Sequence, residues 1–237
     1  MDQYSKSYFS DLENAIQAEV PRNLRILKSI QKYKLDGKLL DVGIGTGLFL
    51  QLAAKNNWQT YGVDISKYAI NLAKKKTKAK LFLGDLAKLN LENNFFDVIN
   101  MRHSIEHMQS PELVLKNAFK ILKPGGLICI ATPNSYGLHA KFFGNLWPHL
   151  SLPYHLHFFS KDSLSTIVKQ QGFLVLELKT EELSSYELFK LTLNKFGIRC
   201  NIGNPSKVSL LINQLLANLG WGEGLLIIAQ KPDHKNE

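Results

Sequence analysis

Two histidines and a glutamate lie close together near the middle of the sequence, at His103, Glu106 and His107. An imidazole titrates near neutral pH, so either histidine could remove a proton from a hydroxyl, a phenol or an amine. The three side chains are also types that ligate metal ions. A third possibility for His107 is a structural role, in which hydrogen bonds hold the ring and the ring shields a site. The spacing alone leaves these three roles open.

A second group of candidate residues lies nearer the N-terminus, where an apolar run ends in Asp41 and Gly43, Gly45 and Gly47 follow at alternate positions. Glycines allow a tight turn and let a ligand approach the backbone closely. Such a turn exposes the N-terminus of the next helix, which favours an anionic or polar group. Dinucleotide-binding folds prefer the spacing G-x-G-x-x-G, whereas the spacing here is G-x-G-x-G.

The elements that must position these residues alternate between short apolar runs and segments of helical periodicity, which predicts parallel β-α-β units. Ligands of such sheets bind at the carboxyl ends of the strands, and the predicted strand ends bring together Asp41, Asp64, Asp85 and residues 100–107. The predicted strands are 38–42, 59–64, 79–83, 95–100, 127–131, 173–178 and 225–229.

Taken as a set, these motifs resemble those of the class I S-adenosylmethionine-dependent methyltransferases over about residues 38–180. The resemblance rests on Asp41 with its three glycines, on the acids after strands two and three, on Phe96-Asp97-Val98-Ile99, and on Lys123-Pro124-Gly125-Gly126 before strand five. It implies an α/β fold with a Rossmann-like, doubly wound, seven-stranded, mostly parallel sheet that carries helices on both faces.

The resemblance also implies S-adenosyl-L-methionine as the cofactor and gives each acid a role. Asp41 would meet the ammonium group, Asp64 both ribose hydroxyls and Asp85 the adenine amino group. A carboxylate suits the ribose because it offers two acceptor oxygens. The residues that we predict to bind the cofactor are Asp41, Gly43, Gly45, Gly47, Asp64, Ile65, Asp85, Leu86, Met101 and His103.

The segment after strand four resembles the ubiquinone-biosynthesis O-methyltransferase group, in which Glu-His recurs at this place. That group carries another acid where this chain has His103, so we predict no metal site. We predict His107 and His103 as the catalytic candidates, and a structural role for His107 stays open. Residues 134–160 would cover the active site, and their aromatic side chains favour a ring-bearing or lipid-like substrate, although an apolar lid packed on the core would look the same. The predicted substrate contacts are His149, Tyr154, His155 and His157.

We divide the chain into an N-terminal helical lid, residues 1–36, and a methyltransferase domain, residues 37–237. In the lid we expect one helix to end near Val20 and a second to start at Pro21. The domain would contain the lid segment 134–160 and a helical insertion at 180–222. The strongly apolar part of this insertion, about 206–219, could cover the core, form a dimer or partner surface, or contact a membrane peripherally.

Composition indicates an ordinary globular protein: 45% of the 237 residues are hydrophobic and 21% are charged. The two cysteines have no neighbour at metal-ligand spacing, and the N-terminus lacks the order of a signal peptide, so we expect a cytoplasmic protein, either monomer or homodimer. The predicted function is transfer of a methyl group to a small molecule, with oxygen of an aromatic, lipid-like or sugar substrate as the acceptor.

Two alternatives remain. The net charge of +9 would suit a nucleic-acid methyltransferase. However, Asn100-Met101-Arg102-His103 does not match the Asn/Asp-Pro-Pro-Tyr/Phe motif of amino-methylating DNA enzymes, and we expect no nucleic acid as partner. The other alternative is a partner subunit that binds the cofactor without catalysis.

Overall fold

The computed structural model describes residues 16–181, 197, 214–215 and 217–233. The helices are α1 (Ile16–Gln31), α2 (Leu48–Lys55), α3 (Lys67–Lys76), α4 (Pro111–Ile121), α5 (Leu138–Phe143) and α6 (Lys161–Gln170), with 3-10 turns at Ile105–His107, Gly144–Leu146 and Pro148–Leu150. The strands are β1 (Gly37–Val42), β2 (Trp58–Asp64), β3 (Lys80–Leu83), β4 (Phe96–Arg102), β5 (Leu122–Pro133), β6 (Leu174–Glu181) and β7 (Gly224–Gln230).

The strands form one seven-stranded sheet in the order β3-β2-β1-β4-β5-β7-β6. Neighbours among the first five strands of this order, β3-β2-β1-β4-β5, are parallel. Strand β7 runs antiparallel to both β5 and β6. The predicted mostly parallel sheet is therefore confirmed. The strand order reverses between β1 and β4, and in open α/β sheets the ligand crevice lies at that switch point.

Alternation along β1 sends its side chains to two separate cores. Leu40 and Val42 belong to the core that contains α4 and α6, whereas Leu39 packs in the core that contains α1 and α2. Side chains of successive strand residues point to opposite faces, so a single apolar strand can anchor helices on both sides. The predicted coverage of both faces is confirmed.

The expected pair of N-terminal helices is wrong for the described residues, because Pro21 lies inside the single helix α1. Proline in a helix interior costs about 3 kcal/mol. Ile26, Leu27 and Ile30 of the same helix are buried against the sheet. Burial of one such side chain contributes about 1.5–3 kcal/mol, so packing outweighs the cost of the proline.

The predicted insertion at 180–222 lies mostly outside the described residues, so its three possible roles stay predictions. At its end, Ala217 is buried and its carbonyl oxygen accepts a hydrogen bond from the Thr180 hydroxyl. Among the described helices, none combines the length and the apolar character needed to cross a bilayer.

Candidate active site

The glycine-rich turn connects β1 to α2 at the switch point of the sheet. Gly43 has φ +79° and Gly45 has φ +51°, the left-handed region that side chains disfavour. A Cβ atom at Gly43 would lie only 2.8 Å from Cβ of Ser104. Gly47 also has a left-handed φ of +78°, and it allows close packing, because a Cβ atom there would lie 3.1 Å from Cβ of Ala73 in α3. The turn thus brings bare backbone to the crevice at its first two glycines.

Two cavities meet at this turn. The larger one, of about 260 Å³, is lined by the ends of β1 and β2, the loop after β3 and the loop after β4. The smaller one, of about 120 Å³, lies between the turn and α1. Gly43, Gly45 and His103 line both cavities. An elongated ligand could therefore occupy both cavities across the two glycines.

The larger cavity contains two of the predicted acids. The Asp64 carboxylate accepts hydrogen bonds from the backbone N–H groups of Ser66 at 2.8 Å and Gly45 at 3.4 Å. Oδ1 of Asp85 accepts one from the N–H of Ala87 at 2.9 Å. Both carboxylates are thus fixed by backbone, and a carboxylate can accept more than one hydrogen bond at each oxygen. Ile65 and Leu86 also line this cavity, as predicted for one site.

The smaller cavity contains Asp41, which is 3% exposed. Burial raises the pKa of Asp41 to about 7, although Nδ2 of Asn100 donates a hydrogen bond to its carboxylate at 2.7 Å. Among the described residues, Oδ1 of Asn100 and Oγ of Ser104 are buried without a hydrogen-bond partner. A buried carboxylate beside an open cavity suits a ligand that carries a positive charge.

Helix α1 closes the smaller cavity with Glu19 and Asn23, which the sequence analysis did not single out. The Glu19 carboxylate accepts hydrogen bonds from Arg22 of the same helix and from Arg102 at the end of β4. Arg102 also lines the cavity. Its position at a strand end was a local signal, but the predicted strand stopped at Asn100, so that signal was missed. Glu19 lies 83 residues away in sequence and gave no local signal.

The histidines after β4 meet the predicted lid segment. Nδ1 of His107 donates to the carbonyl oxygen of Tyr154 at 2.9 Å, and Nδ1 of His155 donates to that of His149 at 2.6 Å. The His107 and His155 rings pack edge to face, 4.6 Å apart. A carbonyl oxygen can only accept, so each neutral ring carries its proton on Nδ1 and its basic lone pair on Nε2.

Glu106 ties the two segments together from the interior. Its backbone carbonyl accepts from the N–H groups of both Leu156 and His157, and its carboxylate accepts from the Thr132 hydroxyl at 2.9 Å. Burial alone would raise the pKa of Glu106. His103, whose Nδ1 lies 3.4 Å from Oε1 of Glu106, and His107 lower it by more, so the pKa lies below its usual value. The buried side chain is therefore an anion between the histidines.

Ligand atoms of Glu106, His107 and His155 all lie within 4.8 Å of one another, so this cluster could hold a metal ion. The ring hydrogen bonds at both Nδ1 atoms would orient such ligands. We predicted no metal site from the sequence, and the absence of a metal stays a prediction.

Six predicted site residues line neither cavity: Gly47, Met101, His149, Tyr154, His155 and His157. Met101 is fully buried in the core. His149 is half-buried within the lid segment, where burial of its ring lowers its pKa to about 3. His157 stacks on Phe159 and lines a separate groove beside Pro111. In an extended segment the side chains of residues 155 and 157 would point the same way, but here two successive N–H groups, those of Leu156 and His157, bind the one Glu106 carbonyl and the backbone bends.

The fourth lid residue, Tyr154, is half-exposed and contributes its backbone carbonyl to the contact with His107. Its ring lines neither of the two cavities at the glycine turn. Of the four predicted substrate contacts, only His155 thus brings its side chain to the histidine cluster beside the larger cavity.

The doubly wound sheet, with a glycine-rich turn and acids at its strand ends, defines a Rossmann-like nucleotide-binding architecture. The profile of a family described as "Methyltransferase domain" matches residues 8–178, and the chain belongs to this family. It is a class I S-adenosylmethionine-dependent methyltransferase, as the motifs predicted.

The chain is similar to several proteins named as methyltransferases. It is 27% identical over 200 residues to the demethylmenaquinone methyltransferase of Staphylococcus carnosus, a match that covers 73% of this chain and 83% of that protein. It is 33% identical over 110 residues to the ubiquinone biosynthesis O-methyltransferase of Coxiella burnetii, with 44% and 47% covered. The fold resembles that of Haemonchus contortus phosphoethanolamine N-methyltransferase 2 in complex with S-adenosyl-L-methionine, with a TM-score of 0.64, 20% identity and 90% and 53% of the two chains covered.

Proposed function

We propose that the protein transfers a methyl group from S-adenosylmethionine to an oxygen atom of a small, ring-bearing acceptor. The observation that carries this proposal is the junction of the two cavities at Gly43, Gly45 and His103. A cofactor that occupies both cavities has its adenosine in the larger and its amino-acid part in the smaller one. Its reactive centre then lies at the junction, beside the histidines.

The residues of both cavities fit this cofactor. Asp64 binds the ribose hydroxyls, Asp85 the adenine amino group, and Leu86 and Ile65 contact the ring, while Asp41 binds the ammonium group. The supporting observations are the backbone-anchored carboxylates and the close approach that glycine allows at Gly43. Met101 and Gly47 line neither cavity, so we assign them no contact with the cofactor.

When bound, the cofactor supplies an activated methyl group on a sulfonium, and the protein supplies alignment and proton removal. His103 lines both cavities and His107 lines the larger one beside it, so both are near the junction at which the acceptor meets the reactive centre. We assign proton removal to Nε2 of His107, because the Tyr154 carbonyl fixes the proton on Nδ1. The Glu106 anion stabilises the positive charge that develops on the imidazole.

The acceptor class follows from the lid segment. Burial lowers the pKa of His155 below its usual value, so this ring is neutral at pH 7 and can accept a hydrogen bond from a hydroxyl group. Leu156 and Phe158 beside it are partly exposed apolar side chains that suit a ring or chain. The names of the two curated relatives refer to demethylmenaquinone and to ubiquinone biosynthesis, which supports a ring-bearing acceptor.

A methyl-transfer screen tests this proposal. Purified protein with labelled S-adenosylmethionine is offered catechols and phenols with and without alkyl chains, primary amines and DNA or RNA in parallel. We expect label on the oxygen of the phenolic compounds. Label only on amines or nucleic acid would overturn the assigned acceptor, and cofactor binding without any transfer would indicate a non-catalytic partner subunit.

Asp41 makes cofactor binding depend on pH. The ammonium group of the ligand favours the Asp41 carboxylate, so the pKa of about 7 in the free protein falls on binding and a proton is released. Affinity for S-adenosylhomocysteine is therefore expected to rise with pH up to about 7, by at most tenfold per pH unit. Calorimetry between about pH 5 and 7 measures this, and Asp41→Asn should flatten the profile. An equally steep profile in the variant would rule out Asp41 as the titrating group.

A further inference from the structure

The smaller cavity has an uneven set of charges. Asp41 and Glu19 contribute two acids, and among the described residues that line it Arg102 carries the one permanent positive charge. The amino-acid part of the proposed cofactor carries both an ammonium and a carboxylate group. Asp41 suits the ammonium, Glu19 already binds Arg22 and Arg102, and the carboxylate of the cofactor requires a cation.

We propose that Arg102 binds the carboxylate of the cofactor and that Glu19 positions Arg102 from helix α1. The proposal rests on the proposed function and extends it to residues that the sequence motifs do not mark. A guanidinium suits this role because its planar fork can donate to two carboxylates at once. Helix α1 then takes part in binding the cofactor, and is more than a cover over the sheet.

The placement of Arg102 follows from β4. Asn100 and Arg102 are two residues apart on this strand, so their side chains leave the same face. Asn100 pairs in register with Asp41 of β1 and donates to its carboxylate. The strand therefore presents Arg102 beside the residue proposed to bind the ammonium group. The two ends of a zwitterion would find opposite charges at neighbouring positions.

The role of Glu19 follows from its two hydrogen bonds. Arg102 and Glu19 are both mostly buried, with side-chain exposures of 19% and 17%. Arg22 donates to the same carboxylate at 2.5 Å, so Glu19 is held from within its own helix. A long arginine side chain at a strand end loses conformational freedom when it is bound. Because Glu19 already holds the guanidinium at the cavity wall in the free protein, less conformational entropy is lost when Arg102 binds a carboxylate.

The test compares two ligands that differ only in the carboxylate: S-adenosylmethionine and its decarboxylated analogue. We expect Arg102→Gln to weaken calorimetric binding of S-adenosylmethionine by about 10- to 100-fold, the range for one charge-assisted interaction. Binding of the decarboxylated analogue should change by less than about twofold. Arg102→Lys keeps the charge without the fork and should recover part of the affinity. It also serves if the glutamine variant fails to fold.

Glu19→Ala tests the positioning role. It should weaken S-adenosylmethionine several-fold, leave the decarboxylated analogue unchanged, and add no further loss in the Arg102→Gln background, because residues that act through one contact are not additive. Arg22→Gln is the matched control, since Arg22 shares the Glu19 carboxylate but does not line the cavity. It should have a smaller effect.

The outcomes separate this inference from the function on which it rests. If the unaltered protein binds neither ligand, the proposed function fails. If it binds both and Arg102→Gln weakens both equally, Arg102 only supports the fold of the site and the inference is overturned. Unchanged binding of S-adenosylmethionine by the Arg102→Gln and Arg102→Lys variants would also overturn it.

Discussion

Replacement of Asp64 by alanine is expected to weaken S-adenosylhomocysteine binding by about 1.5–3 kcal/mol, the range for hydrogen bonds to a charged group. This corresponds to a loss of roughly 10- to 150-fold in affinity. The reason is that one carboxylate at the end of β2 would accept from both ribose hydroxyls. Titration calorimetry of the purified variant measures the loss directly.

The same carboxylate also accepts from the N–H groups of Ser66 and Gly45, so alanine could loosen the turn. Asp64→Asn is the sharper variant, because its amide oxygen can still accept from the Ser66 N–H while one acceptor for the ribose is lost. Asp162→Ala, in the exposed first turn of α6, is a matched control that should bind normally. Unchanged affinity in both Asp64 variants, with normal thermal unfolding, would contradict the ribose assignment.

The second large effect is expected at His107. Replacement by alanine should lower the turnover number by roughly 10²- to 10⁴-fold, the contribution of a general base. Affinity for S-adenosylhomocysteine should change little, because the imidazole acts on the acceptor and not on the cofactor. Steady-state kinetics with the acceptor found in the screen, together with calorimetry, separates the two quantities.

His157→Ala is a suitable comparison for this experiment. His157 is also a lid-segment histidine, but it lines a groove beside Pro111, away from both cavities. We expect it to retain most of the activity. If the His107 variant also retained its turnover number, His107 would be a structural residue, held by the Tyr154 carbonyl and shielding the site.

The acids at the strand ends could be located from sequence because their signals are local. Asp41, Asp64 and Asp85 each end or follow a short apolar run, and parallel strands bring such ends to one edge of a sheet. In the structure these three residues line the two cavities. The spacing of glycines also identified the turn, but it could not separate Gly43, which faces the cavities, from Gly47, which packs on Ala73.

The errors have equally specific causes. The predicted strand four ends at Asn100, which places Met101 after the strand, among the residues predicted to bind the cofactor. The strand continues to Arg102, and alternation then sends Met101 to the core while Asn100 and Arg102 face the site. With the strand end placed at Arg102, the predicted site would have contained Arg102 in place of Met101.

Contacts between distant segments could not be predicted at all. The bond between Glu19 and Arg102 joins residues 83 apart, and that between His107 and Tyr154 joins residues 47 apart. The conformation of the lid segment depends on the Glu106 carbonyl, which binds two of its N–H groups. No local pattern contains that acceptor, so the different directions of His155 and His157 emerge only from the tertiary structure.

The most direct measurement of the central claim is a calorimetric titration of the unaltered protein with S-adenosylhomocysteine, with NAD as the control ligand. The two cavities at Gly43 and Gly45 predict one site per chain with an affinity in the micromolar range for S-adenosylhomocysteine and no binding of NAD. Absence of S-adenosylhomocysteine binding by a folded protein, or equal binding of NAD, would contradict the proposed cofactor site and with it the roles assigned to Asp41, Asp64 and Asp85.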